Sequence, residues 1–148
     1  MPHLVVLYTP NLDQPEAQGG LDMTRLCRAL CDALLAVRDE AGQPVFPTGG
    51  TRVLAYPAAH SAIADGGAAG QAAGLGSDYA FVYMNLRMAK GRSASTHQRV
   101  GDALQACVKA NFAEQLSARP IGITVQVEEG IEVFDSKNSS IHPLFKAA

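Results

Sequence analysis

The sequence predicts an α/β fold of two layers (α+β two-layer), in which tandem β-α-β units form one four-stranded mixed sheet with two helices on one face. Three observations carry the prediction. The apolar run Leu4-Val5-Val6-Leu7 is followed by a helical stripe and then by the strand-like run Arg52-Val53-Leu54-Ala55-Tyr56. Residues 79–88 alternate strictly, with Ala80, Val82, Met84, Leu86 and Met88 on one side and Tyr79, Phe81, Tyr83, Asn85 and Arg87 on the other, the period-two signature of a strand occupied on both faces. A second helical stripe and a fourth strand complete another cycle, Ile121, Ile123, Val125 and Val127 facing one way and Thr124, Gln126 and Glu128 the other.

Taken in order, residues 9–20 are rich in Pro, Asn, Gln and Gly and read as a loop ending where Asp22 can cap a helix. In that helix Met23, Leu26, Cys27, Leu30, Leu34 and Val37 recur at three-and-four spacing and share one stripe. Gly42 and Pro44 are its stop signals, and Thr48-Gly49-Gly50-Thr51 turns the chain into strand two. Residues 58–77 are dominated by Ala and Gly, with almost no side chain to anchor them, and read as a flexible excursion. After strand three, Gly91-Arg92-Ser93 leads into a helix whose stripe runs through Val100, Leu104, Cys107, Val108, Phe112 and Leu116 and ends before Pro120. The chain thus reads as a single domain over residues 1–148, with a first unit 1–57, the excursion 58–77, a second unit 78–129 and a tail 130–148. Parallel crossovers share a hand, so both helices fall on the same face of the sheet. The opposite face would lie uncovered in a monomer, a wide part-apolar surface that self-association would cover.

Composition excludes several classes. A chain of 148 residues, 47% hydrophobic and 18% charged, has the make-up of a globular protein with one core. No apolar run approaches membrane-spanning length and the run after Pro2 lacks a basic leader, so a cytoplasmic protein without a membrane partner is expected. A net charge of -2 with scattered basic residues offers no footprint for nucleic acid. Cys27, Cys31 and Cys107 are an odd count within helical patterns and read as reduced core residues. Cys27 and Cys31 lie four apart, but no second ligand pair is near and His3, His60, His97 and His142 are dispersed, so no metal site is read. Gly-rich stretches at 48–51 and 64–76 fit neither a Walker loop nor a dinucleotide fingerprint, and no Gly-x-Ser-x-Gly elbow occurs.

Three residues carry candidate chemistry. Pro2 follows the initiator methionine and is small enough for that methionine to be trimmed, which would leave a secondary amine opening a strand. Such a nitrogen has no amide resonance, accepts one proton and is held by its ring; otherwise Pro2 is simply a tolerated strand start. Arg52 opens strand two and Arg92 sits between strand three and helix two. A guanidinium at such an element end can grip a carboxylate through two parallel hydrogen bonds, or can be an ordinary solvated arginine.

Together these features resemble the tautomerase superfamily, and within it the isomerases of 2-hydroxymuconate-type acids. The similar stretches are Met1-Pro2-His3, Phe46-Pro47 followed by Arg52, Asp78-Tyr79-Ala80-Phe81-Val82-Tyr83-Met84-Asn85-Leu86 running into Gly91-Arg92-Ser93, and the tail from Lys137 to Lys146 with Ile141-His142-Pro143-Leu144-Phe145-Lys146. The resemblance implies an isomerase of homoprotocatechuate breakdown that moves a double bond in an unsaturated 2-hydroxy or 2-oxo acid bearing two or three carboxylates. It implies Pro2 as the catalytic base, Arg52 and Arg92 as substrate-binding residues, a homotrimer with sites near subunit boundaries, and no cofactor. Another chemistry on the same proline, or a noncatalytic ligand-binding domain, stands beside this reading. The excursion 58–77 is longer than is usual in the family.

Overall fold

The computed structural model describes residues 2–145; Met1 and the end of the tail from Lys146 lie outside the described residues. Four strands, β1 (His3–Tyr8), β2 (Arg52–Pro57), β3 (Ala80–Ala89) and β4 (Ile121–Gly130), form one sheet in the order β2-β1-β3-β4. The pairs β1–β2 and β3–β4 are parallel and β1–β3 is antiparallel, so the sheet is mixed, as expected from two parallel units laid side by side. The long helices α1 (Met23–Ala36) and, two helices further on, α3 (Ala94–Asn111) pack on one face. Between them in sequence lies the short helix α2 (Ala68–Ala72), and α4 (Ala113–Ala118) follows α3.

The core is the seam between the helices and the inner sheet face. Leu4 and Val6 of β1 and Val82, Met84 and Leu86 of β3 are fully buried against Leu30 and Leu34 of α1 and Val100 and Leu104 of α3. Each such aliphatic side chain contributes about 1.5–3 kcal/mol by leaving water. The inward residues Ile123, Val125 and Val127 of edge strand β4 are only half-buried and line a groove of about 510 Å³ beside α3. On the outer face Leu7, Leu54 and Tyr56 stay about half exposed, while Tyr83 donates to Gln126 Oε1 at 2.6 Å. Among the described residues no helix is long and apolar enough to cross a membrane.

Several expectations are corrected. Helix α1 stops at Ala36, well before Gly42 and Pro44, because Arg38 turns back and donates to the terminal carbonyls of Leu35 and Val37 at 2.8 and 3.1 Å. Residues 38–44 then close a tight loop in which Asp39 accepts from the backbone N–H of Ala41 and Gln43. The second helix is not one piece. It breaks at Phe112, whose φ of -111 leaves the helical range while its ring stays fully buried. The break resets the helical phase, so Gln115 turns inward and donates to the Gly20 carbonyl at 2.9 Å while Leu116 is half exposed. All three cysteines are free and half-buried rather than fully buried, Cys107 packing against the edge of the core, and burial pushes the Cys27 and Cys107 thiols up.

The excursion 58–77 is anchored where no anchor was expected. Asp65 accepts from the N–H groups of Gly67 and Ala69 at 3.0 and 2.8 Å, and the Tyr79 hydroxyl accepts from Gly70 N–H at 2.8 Å. Gly67 combines a φ of +98 with a close approach: a β-carbon there would stand 2.2 Å from the Ser77 carbonyl oxygen. Only glycine fits both demands.

Candidate active site

The strand directions bring one end of the sheet together from four distant parts of the chain. There β1 and β2 begin while β3 and β4 finish, and His3 pairs with Arg52 on one side and Arg87 on the other. Arg87 in turn faces Glu128. A transverse row, Arg52, His3, Arg87 and Glu128, therefore crosses the sheet on its outer face. Pro2 immediately precedes this row and is buried, in phase with inward-facing Leu4 and Val6.

Arg52 is set by the 3-10 turn Thr48–Gly50 that precedes β2, and donates to the Gly50 carbonyl at 3.1 Å. Arg92 lies beyond β3, after Gly91 at a φ of +93, on the helix side. Its guanidinium donates to the Ala89 and Val45 carbonyls at 2.8 and 3.0 Å and sits 5.5 Å from the centre of the buried Phe46 ring. Next to it Ser93 caps α3 by accepting from Thr96 N–H at 3.0 Å. Glu40 reaches across from the 38–44 loop to accept from the Ser93 and Thr96 hydroxyls. This clasp ties the Arg92 turn to the segment carrying Val45 and Phe46, and borders a cavity of about 560 Å³.

The Ser93 hydroxyl first, then the backbone N–H of Glu40 itself and the Thr96 hydroxyl, hold the Glu40 carboxyl down to about 2. A carboxylate lowered in the folded state adds stability that is present above the ordinary value of 4.5 and is lost as pH falls toward 2. The melting temperature of Glu40→Gln is therefore expected to fall less than the parent's between pH 5 and pH 3. Equal slopes in the two proteins would remove the clasp from the acid response.

The tail closes the same end. After Gly130 it passes His3, where Asp135 pairs with Lys137 at 2.5 Å, and its 3-10 turn His142–Phe145 packs on Gly49. A β-carbon on Gly49 would stand 3.1 Å from both His142 Cα and Phe145 Cδ2. Burial first, then the charges of Arg52 and Arg87, lowers the His3 imidazole, while Asp135 opposes them. A second cavity, about 500 Å³ at the far end of the sheet, is bordered by Arg119, but Asp78 already holds that guanidinium at 2.6 Å. No group of three or more metal-binding side chains exists among the described residues.

Pro2, Arg52 and Arg92 thus gather at one sheet end, Arg52 on the outer face and Arg92 on the helix side. Sequence reasoning did not single out Arg87, Glu40 or Phe46 for the site, and weighed His3 only as a metal ligand. The alternation of β3 did put Arg87 on the outer face, but only the register sets it beside His3. The excursion 58–77 lies at the opposite end from Pro2 within the chain, since it joins the end of β2 to the start of β3.

A mixed four-stranded sheet with two long helices on one face is the tautomerase-type fold, and the family and relatives that this chain matches make it an isomerase. The chain belongs to the 5-carboxymethyl-2-hydroxymuconate isomerase family, whose model matches residues 2–145. It is 27% identical over 146 residues to the 5-carboxymethyl-2-hydroxymuconate Delta-isomerase of Escherichia coli, covering 99% of this chain and 100% of that one. A crystal structure of a 5-carboxymethyl-2-hydroxymuconate delta-isomerase superposes with a TM-score of 0.93 at 51% identity, covering 100% of this chain and 95% of the other. A 5-carboxymethyl-2-hydroxymuconate isomerase from Deinococcus radiodurans R1 gives 0.77 at 30% identity, with 99% and 95% covered.

Proposed function

We propose that this isomerase moves a double bond in 5-carboxymethyl-2-hydroxymuconate or a closely related unsaturated acid, with the free amine of Pro2 as the base. The observation that carries the reading is the burial of Pro2 at the sheet end shared by Arg52 and Arg92. Shifting a double bond along a conjugated 2-oxo acid needs a proton taken from the carbon next to the conjugated system and returned further along it. One base can do both. An ordinary α-amine titrates at about 7.7–8.0, and burial together with nearby guanidinium groups favours its neutral form. Arg52 and Arg92 grip substrate carboxylates and stabilise the negative charge that builds on the dienolate oxygen.

The enzyme works as a homotrimer in the cytoplasm, in homoprotocatechuate catabolism. The outer face supports the assembly, because Leu7, Leu54 and Tyr56 are each 44–48% exposed side by side on β1 and β2. A stable monomer in light scattering at micromolar concentration would defeat the trimer. The reaction is tested spectrophotometrically with 2-hydroxymuconate-type acids, alongside an intact mass reporting whether Met1 is present. Arg52→Ala and Arg92→Ala are each expected to lower kcat/KM at least tenfold, about the 1.4 kcal/mol of one charge-assisted contact. Unchanged kinetics in both would return them to ordinary surface roles.

A further inference from the structure

We propose that Arg87, with His3 beside it, binds the third carboxylate of a tricarboxylate substrate and so sets the preference for tricarboxylates over dicarboxylates. The inference rests on the proposed reaction, since a muconate carries two carboxylates and a carboxymethyl substituent adds a third. Arg52 and Arg92 account for two.

The register places Arg52, His3 and Arg87 abreast on three adjacent strands. Arg87 makes no ion pair among the described residues. Its cross-strand partner Glu128 is not bonded to it, and the nearby Asp135 is already taken by Lys137 at 2.5 Å. The Arg87 guanidinium stands beside the backbone of β4. It lies against Gly130 so closely that a β-carbon there would stand 2.4 Å from Nε and 3.0 Å from Nη2. The side chain rests on backbone at the last position of β4 and stays exposed to an arriving ligand. The planar fork of a guanidinium matches a planar carboxylate through two parallel hydrogen bonds. His3, kept toward its neutral form by burial and its cationic neighbours, adds an uncharged N–H donor.

The test compares 5-carboxymethyl-2-hydroxymuconate with 2-hydroxymuconate, which lacks the third carboxylate, in the parent and in Arg87→Gln. The expected result is a tenfold or greater fall in kcat/KM for the tricarboxylate, mostly through KM, with the dicarboxylate changed less than twofold. Arg87→Lys should recover part of the loss. An equal fall for both substrates, no change for either, or dissociation of the assembly in Arg87→Gln would overturn the assignment. If the parent turns over neither acid, the proposed reaction fails by itself, and calorimetry with propane-1,2,3-tricarboxylate and glutarate decides the anion site. Tenfold weaker binding of the tricarboxylate alone in Arg87→Gln supports it; equal binding by parent and variant overturns it.

Discussion

A protein that retains Met1 is expected to lose between a hundredfold and ten-thousandfold in kcat/KM, the range that a positioned general base contributes. Retention makes the Pro2 nitrogen an amide, which has no basicity near neutral pH, so substrate binding should survive while proton transfer does not. A second residue too large to permit trimming provides the variant, and intact mass confirms its terminus. Pro2→Ala should fall between parent and blocked protein, because trimming still occurs and leaves a primary amine, less rigidly held. The pH dependence has a definite sign. Only the neutral amine accepts a proton, so kcat/KM of the parent should rise with pH along one ionisation lying below the ordinary α-amine value of about 7.7–8.0. A Met1-bearing protein at full rate would remove Pro2 from the mechanism and leave the family assignment untouched.

Phe46→Ala is expected to cost about 3–5 kcal/mol of stability, the usual penalty for emptying a buried aromatic site. The ring is 2% exposed and supports Arg92 at 5.5 Å from its centre, so a further loss of about 0.5–2 kcal/mol follows from the missing cation–π contact. Against a total stability of roughly 5–15 kcal/mol the change is severe. Urea unfolding at a fixed protomer concentration measures it, since assembly would make the midpoint concentration-dependent. Phe46→Leu should lose much less stability yet still loosen Arg92. A loss under about 1 kcal/mol for the alanine variant would mean that the site collapses around the gap.

How far the sequence could be read depended on where each signal is written. The alternation of β3 was legible because an interior strand has one face fully buried, and its inward residues are at most 1% exposed. The break at Phe112 carries no proline or glycine at that residue. It arises from tertiary packing of the ring, and the exchange of Gln115 for Leu116 on the inner side follows from it. The end of α1 was misplaced because Arg38 caps carbonyls with a long side chain, an act that residue spacing does not encode. At the candidate site, the places of Pro2, Arg52 and Arg92 at element ends were legible, and their roles are those the family resemblance implies. Arg87 beside His3 was not legible, because which residues stand abreast is a property of strand register and depends on a pairing made across more than eighty residues of chain.

The excursion between β2 and β3 also bears on how such a chain can change over time. Pro57 pairs with Tyr8 and Tyr8 with Val82, so the ends to be joined are two strand spacings apart, roughly 10 Å. Three or four extended residues could cross that gap. Everything beyond them is surplus to the connection, and a doubling of loop length adds only about 0.6 kcal/mol of closure cost. Its internal ties, Asp65 to Gly67 and Ala69 and Tyr79 to Gly70, run within the segment and its immediate neighbour. Outside the Gly67 turn, the segment can therefore lengthen, shorten or drift toward Ala and Gly with little effect on the sheet, while the end bearing Pro2, about 20 Å away along β1, keeps its geometry. Evolutionary latitude is concentrated at one end of the molecule and constraint at the other.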